Sequence, residues 1–545
     1  MSDIEAASAT TAPNRSSLSP QPTRGQGQRS RAGCRICREK KVKCDETRPF
    51  CRRCIRLNLS CDYTRVPRKK YTRRSAAANV NSFSSPTLNL PPECAIILSS
   101  FDHSAIEFFR SVLPGLVDTR PSAYSGPGMV WILAQGSPMV LHMVCALGGQ
   151  KWCEKNSCPP AEADTRRYKA IEHYGEALSM LAAIVQSTVA MADFKYIFAT
   201  LWLMISYELK FGDGSCIGLD AHLQGVASVL LRQPRPIRSV LNPDSAIANR
   251  FPPYHASEPE PEPEFDGLCP ISCQILIWIA TADAGAVLNG FGGAFSRLLG
   301  DATLGMSEVE AQARLDCLRA LHQRSILVNH DVWGRSYTQA ELLEDLQCSK
   351  LFCFEAESGQ LRFMVGTLAN AEHRDNVVYE PWRQVVAGSF HHVRSRYSEF
   401  LHIANRLELA ACGAKRRFII EIRSIVSMHH AVVLCFLRIL HQDSQPTSHQ
   451  REAMKDIMSL AFKVHRDQGE MGLTRLAWPL FVVAIETDDI LHRSWILDRF
   501  DWLATQGENY YRASQALRMT MDPLDERNQG YFELMRQDSF PRFLL

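Results

Sequence analysis

Six cysteines follow one another as Cys34-x2-Cys37-x6-Cys44-x6-Cys51-x2-Cys54-x6-Cys61, set among lysines and arginines. Thiolates at this density are ligands for a borderline-soft metal, and zinc takes four of them in a tetrahedron. One zinc would leave two cysteines idle and two separate zincs would need eight, so six serve two zincs only if two sulfurs are shared. The segment is an internal repeat: Cys34-Arg-Ile-Cys-Arg-Glu-Lys-Lys-Val-Lys-Cys44 is followed by Cys51-Arg-Arg-Cys-Ile-Arg-Leu-Asn-Leu-Ser-Cys61. Each half offers the same three ligands, which suits a pseudo-twofold pair of short helical turns around one binuclear core. All ligands are cysteine and no position is left open for water, so the metal is structural and not catalytic. A module this small buries little apolar surface, and structural zinc in finger peptides contributes roughly 10–16 kcal/mol.

The rival use of six cysteines is a disulfide framework, which belongs to oxidising compartments. Residues 1–20 carry neither the apolar stretch nor the cleavage pattern of a secretory signal, which disfavours it.

Charge assigns the module a polyanionic partner. From Arg29 to Arg74 there are 17 lysines and arginines against 4 acids, a formal +13, or +11 once two zincs and six thiolates are counted. Residues 75–545 carry −10, so a near-neutral chain joins a basic head to an acidic body. Phosphate contacts from such a head give salt-sensitive affinity that is blind to sequence. Specificity needs groups that reach base edges, and Arg38, Lys40, Lys41 and Lys43 crowd the turn after Cys37. Arg52, Arg53 and Arg56 in the second half are read as phosphate grips. Arg68, Lys69 and Lys70 lie in a further basic run, Arg65 to Arg74, where Pro67 opposes a continuing helix. That run could follow the phosphate backbone or serve nuclear import.

The segment from about 30 to 74 resembles the fungal binuclear zinc cluster transcription factors, a family defined by this cysteine spacing. The resemblance implies two Zn(2+) per chain bridged by Cys34 and Cys51, with Cys37 and Cys44 completing one site and Cys54 and Cys61 the other. Lys40 and Lys41 match the family's base-reading pair, with CGG-type triplets as the usual target. Pro49 matches a family proline whose peptide bond is often cis. Many members continue into a coiled coil here, but residues 75–93 show no sustained heptads and read as a flexible linker. A monomer, or a homodimer held by the helical domain, is therefore expected.

The remainder is helical in its periodicity. Helices are expected from about His103, Val130, Asp164, Phe194, Leu219, Ile271, Ser307, Trp382, Lys415, Gln450, Pro479 and Glu508. Tyr168, Ile171, Leu178, Leu181 and Val185 share one face of the helix near Asp164 and are expected to be its buried face. Residues 221–231, 278–293 and 477–483 resemble, more weakly, the fungus-specific regulatory domain found downstream of such clusters. In these pieces Gly225 is read as permitting close helix approach, and Pro479 as part of a first helical turn.

The expected organisation is a disordered tail at 1–29, the zinc cluster at 30–64, a basic then flexible linker at 65–94 and an all-α regulatory domain at 95–545. Residues 233–267 form a Pro/Glu-rich loop within it, whose Glu258-Pro-Glu-Pro-Glu-Pro-Glu264 repeat favours extended chain.

Enzyme signatures are wanting. Gly290-Phe-Gly-Gly293 follows a helical run where a dinucleotide loop follows a strand, and no HExxH or P-loop pattern occurs. His391, His392, His402, His429 and His430 are ordinary helix residues, because adjacent positions on a helix point apart. Membrane insertion is not expected, since 424–440 is interrupted by His429, His430 and Arg438. The expectation is a nuclear, zinc-dependent, sequence-specific regulator of RNA polymerase II transcription, with double-stranded DNA and transcriptional co-regulators as partners. Its role would be pathway-specific, such as over a biosynthetic gene cluster. The alternative is an adaptor or repressor acting through protein contacts.

Overall fold

The computed structural model describes residues 33–40, 42–57, 59, 61–63, 96–156, 160–186, 194–232, 268–300, 307–326, 328–370, 376–409, 416–441, 445–520, 532, 537 and 540–545. The expectations for the tail at 1–29, the linker at 65–94 and the loop at 233–267 lie outside them. Backbone contacts divide the chain into two units, Met1–Pro86 and Thr87–Leu545.

Among its described residues the first unit holds two one-turn helices, α1 (Arg35–Glu39) and α2 (Arg52–Arg56). Its core is the buried sulfurs of Cys34, Cys37, Cys44, Cys51 and Cys54, with Ile36, Cys61 and Tyr63 packed around them.

The second unit is helical, with no strand among the described residues. Its first half comprises α3 (Ser100–Ser111), α4 (Leu113–Val117), α5 (Gly126–Ala134), α6 (Pro138–Lys155), α7 (Pro160–Gln186), α8 (Phe194–Phe211) and α9 (Ile217–Leu231). Then come α10 (Pro270–Val287), α11 (Ala294–Leu298), α12 (Glu308–Ser325), α13 (Val328–Trp333) and α14 (Gln339–Ala369). The last part comprises α15 (Asn376–Arg396), α16 (Ser398–Ile403), α17 (Arg416–Leu440), α18 (Ser448–Gly472), α19 (Ala477–Glu486), α20 (Ile490–Ala504) and α21 (Glu508–Thr520). Local chemistry sets many of the starts. Ser99 and Asp102 close a capping box on α3, Thr447 and Gln450 close one on α18, and Ser137, Thr338 and Asp489 cap α6, α14 and α20.

Two apolar clusters fill this unit. One gathers Phe109, Leu141, Phe198, Leu223 and Ile279, the other Phe354, Phe390, Phe436, Trp478 and Phe500. Helices α10, α12 and α14 belong to both, through pairs such as Ile279 with Ala284 and Leu315 with Leu318. The segment 540–545 also joins them, Phe543 in one and Leu544 in the other.

Every helix expected from periodicity is present, but the buried face of α7 is rotated from the expected one. Tyr168 is 73% exposed, Ile171 50% and Leu178 43%; of the expected set only Leu181 is buried, with Val185 half-buried. The buried line is Ala170, His173, Ala177 and Leu181, whose smaller members let α7 lie close on α6. Gly225 is a second correction: a Cβ there would meet only Leu201 Cδ2 at 3.5 Å, an ordinary contact. Close approach belongs to Gly148, where a Cβ would stand 2.3 Å from the Ala105 carbonyl oxygen of α3. Pro479 does lie in the first turn of α19. The glycines of Gly290-Phe-Gly-Gly293 turn the chain between α10 and α11 at φ +81°, +70° and +76°, a conformation that side chains disfavour. By length and composition α10 and α17 could cross a membrane, yet 61% and 67% of their apolar windows are buried inside the protein.

Candidate metal centre

Each half of the cysteine segment folds in the same way. The Cys34 N–H donates to Cys44 Sγ at 3.4 Å, and 17 residues on the Cys51 N–H donates to Cys61 Sγ at 3.3 Å. The Val42 N–H reaches the Cys37 carbonyl at 3.0 Å as the Leu59 N–H reaches that of Cys54 at 2.9 Å. The internal repeat is thus a structural repeat, with α1 and α2 as its equivalent turns.

The sulfurs converge between the two turns. Cys34 Sγ lies 3.8 Å from Cys51 Sγ and 3.7 Å from Cys54 Sγ, and Cys37 Sγ lies 3.8 Å from Cys51 Sγ. Sulfurs bound tetrahedrally at about 2.3 Å from zinc are about 3.8 Å apart, so this spacing fits the metal. It does not fit disulfides, whose sulfurs are about 2.05 Å apart, and all six cysteines are unpaired. Cys34, Cys37, Cys51 and Cys54 can present their sulfurs to one ion, and Cys44 and Cys51 come together with Asp45 in a second group. Cys44 also lies within reach of Cys37, and Cys61 of Cys54 and Cys34.

The thiols differ in acidity. Burial raises Cys34 and Cys37, and burial together with Cys51 pushes Cys54 up to about 12. Burial would raise Cys51 too, but hydrogen bonds from the Cys54 amide and the neighbouring thiols bring it down to about 6. Burial thus keeps most of these thiols protonated, and for them to ionise together at this distance a cation must lie among them, which is the chemistry a coordinated metal supplies.

Residues outside the ligand set hold the cluster together. Asp45 accepts the Arg52 N–H at 2.9 Å at the start of α2 and so ties the connection to the second turn. The Tyr63 hydroxyl donates to the Thr47 carbonyl at 3.0 Å and lies 3.7 Å from Cys44 Sγ, with the Arg48 guanidinium over its ring. The Arg48–Pro49 bond between the halves is cis. Sequence reasoning passed over Asp45 and Tyr63; the only signal was their position beside Cys44 and Cys61.

The basic residues divide by placement. Lys40, Lys43, Arg52 and Arg56 are exposed around the cluster. Arg53 is half-buried and its guanidinium donates to Cys37 Sγ at 3.9 Å, so it faces the cluster as well as solvent. Arg38 lies on α1, but its side chain is outside the described residues, as are Lys41, Arg68, Lys69 and Lys70. No histidine belongs to a metal-competent group among the described residues. His429 is buried with Ser358 Oγ 3.1 Å away and Phe354 against its ring, and His402 hydrogen-bonds the Ser398 carbonyl.

Residues 32–71 match the fungal Zn(2)-Cys(6) binuclear cluster domain, and residues 396–537 match the fungal specific transcription factor domain. The second match includes the piece at 477–483, while those at 221–231 and 278–293 lie N-terminal to it. No curated protein matches the chain, and no solved structure does. The chain thus carries the two domains of the fungal zinc-cluster transcription factors, a cluster domain that binds two zinc ions and a helical body bearing the second domain.

Proposed function

We propose that this protein reads specific DNA sequences in the nucleus and regulates RNA polymerase II transcription, as a regulator and not an enzyme. The observation that carries the reading is a cysteine core fit for zinc with exposed Lys40, Lys43, Arg52 and Arg56 arrayed around it. In this reading Cys34 and Cys51 bridge the two zincs, since their sulfurs lie 3.8 Å apart and each also lies beside a sulfur of the other half, Cys34 beside Cys54 and Cys51 beside Cys37. Cys37 and Cys44 complete one site, and Cys54 and Cys61 the other. Arg38, Lys40, Lys41 and Lys43 approach the major groove. Arg52, Arg53, Arg56, Arg68, Lys69 and Lys70 grip phosphates.

The zinc cluster occupies 30–64, the linker 65–94 and the regulatory domain 95–545, which meets co-regulators. The protein acts as a monomer, or as a homodimer held by that domain. Its targets form one pathway, such as a biosynthetic gene cluster.

Selection from random duplex DNA with the full chain tests the reading. Enrichment of CGG-type triplets is expected, and no common triplet at physiological salt would favour the adaptor reading instead. Lys41→Ala is expected to relax the selected sequence, costing about 1–3 kcal/mol of discrimination. Arg53→Ala is expected to weaken all sequences alike and reduce the salt slope by about one. Uniform loss from Lys41→Ala would remove its base-reading role.

A further inference from the structure

A cavity of about 440 Å³ opens in the helical body, bordered by α5, α8, α10, α12, α14 and α17. Its size falls within the roughly 300–1,000 Å³ of small-molecule sites. Trp202 and Trp278 form one wall, their ring centroids 4.8 Å apart, and Phe352 another. Phe352 packs against one apolar cluster of the body and the two tryptophans against the other, so an occupant would touch both.

The polar groups of the lining are unevenly satisfied. Asp345 accepts from Arg120 at 3.1 Å, Arg417 at 3.0 Å, Asn329 at 2.9 Å and Tyr337 at 2.5 Å, which occupies both oxygens. Asp118 accepts the Gly126 and Arg120 amides at 2.7 and 2.9 Å. Glu421 accepts from Thr119 at 2.6 Å and Arg475 at 3.0 Å.

Three of the charged or titratable groups stand out. Glu355 has no hydrogen-bond or ion-pair partner among the described residues. His322, 6% exposed, bonds the Ser349 backbone through its ring and leaves Nδ1 without a partner; Arg120 Nε likewise has none. Burial holds His322 neutral at pH 7, with its pKa down to about 4. The lining then carries four carboxylates against two guanidiniums, a formal −2. Burial, with Glu421 nearby and Arg475 opposing, raises Glu355 to about 7, a carboxyl that an incoming cation would ionise.

We propose that this cavity binds a small aromatic amine, its ring against Trp202, Trp278 and Phe352 and its ammonium on the Glu355 carboxylate. Aromatic walls beside an unpaired carboxylate favour a cation twice over, by ion pairing and by the negative face of the indole rings. His322 Nδ1 accepts a further hydrogen from the ligand, and Arg120 Nε donates to an oxygen where the ligand carries one. The inference concerns the body alone and stands or falls separately from DNA reading.

The test is a ligand-observed saturation-transfer NMR titration of the full chain with phenethylamine, phenethyl alcohol and phenylacetate, which share a ring and differ in charge. At pH 8 phenethylamine is expected to bind at least about tenfold more tightly than phenylacetate, the effect of one partly desolvated charge pair. Glu355→Gln, close to isosteric, is expected to reduce that preference severalfold while leaving the alcohol unchanged. Phenylacetate binding as tightly as the amine, an undiminished preference in Glu355→Gln, or no binding of any probe would overturn the proposal. The comparison of probes on the parent protein stands even if the variant fails to fold.

Discussion

Single residues show how far spacing speaks for chemistry. Six cysteines could be read as ligands because thiolate coordination depends on local spacing, and their sulfurs do converge. Arg53 could be read only as a positive charge; its contact with Cys37 Sγ depends on how α2 meets α1. Glu355 gave no signal at all, because an unpaired carboxyl is defined by neighbours far away in the chain. It carries a pH prediction of its own. Its folded pKa of about 7 lies above the ordinary 4.5, so the folded state holds the proton more tightly than the unfolded chain. The associated stability is full below about pH 4.5 and is lost as pH rises through 7. Glu355→Gln, which cannot ionise, should gain roughly 1–2 kcal/mol on the parent between pH 5 and pH 8, read from denaturant melts at each pH. A constant difference across that range would show that Glu355 is solvated in the folded protein.

At the scale of elements, sequence patterns located helices better than they oriented them. Helix α6 escaped notice because apolar residues surround it, and α14 because buried Glu357, Ser358, Gln360 and Arg362 interrupt its apolar rows. Those polar residues are paired across helices, Glu357 with Arg319 at 2.9 Å and Arg396 at 2.7 Å, a context no single helix reveals. On α7 bulk misled the assignment of faces, since the surface buried against α6 is led by alanine. The same logic separates two glycines. Gly148→Ala should cost about 1–3 kcal/mol, because its Cβ would press on the Ala105 carbonyl oxygen of α3 and force the helices apart. Gly225→Ala, with room for its Cβ, should stabilise by about 0.5–1 kcal/mol through lower backbone entropy in the unfolded chain. Chemical denaturation of the two variants checks both signs.

For the whole molecule, one unit is built around a cysteine core and the other around two apolar clusters, so the two units depend on different physics. Chelating the zinc should therefore abolish DNA binding and unfold the cysteine module, while the far-UV helix signal and the melting of the body change little. A body that melts at markedly lower temperature after chelation would show that the units are energetically coupled. The sequence by itself determined the six clustered cysteines, the basic charge around them and the helical class of the body. Each is a property of composition or short-range spacing, carried by residues a few positions apart. Only the tertiary structure decided which face of α7 is buried, which glycine lets helices touch, and that Glu355, His322 and Trp278 border one cavity. These are set by contacts between α7 and α6, α3 and α6, and α10, α12 and α14, and a contact between distant segments exists only once the chain has closed on itself.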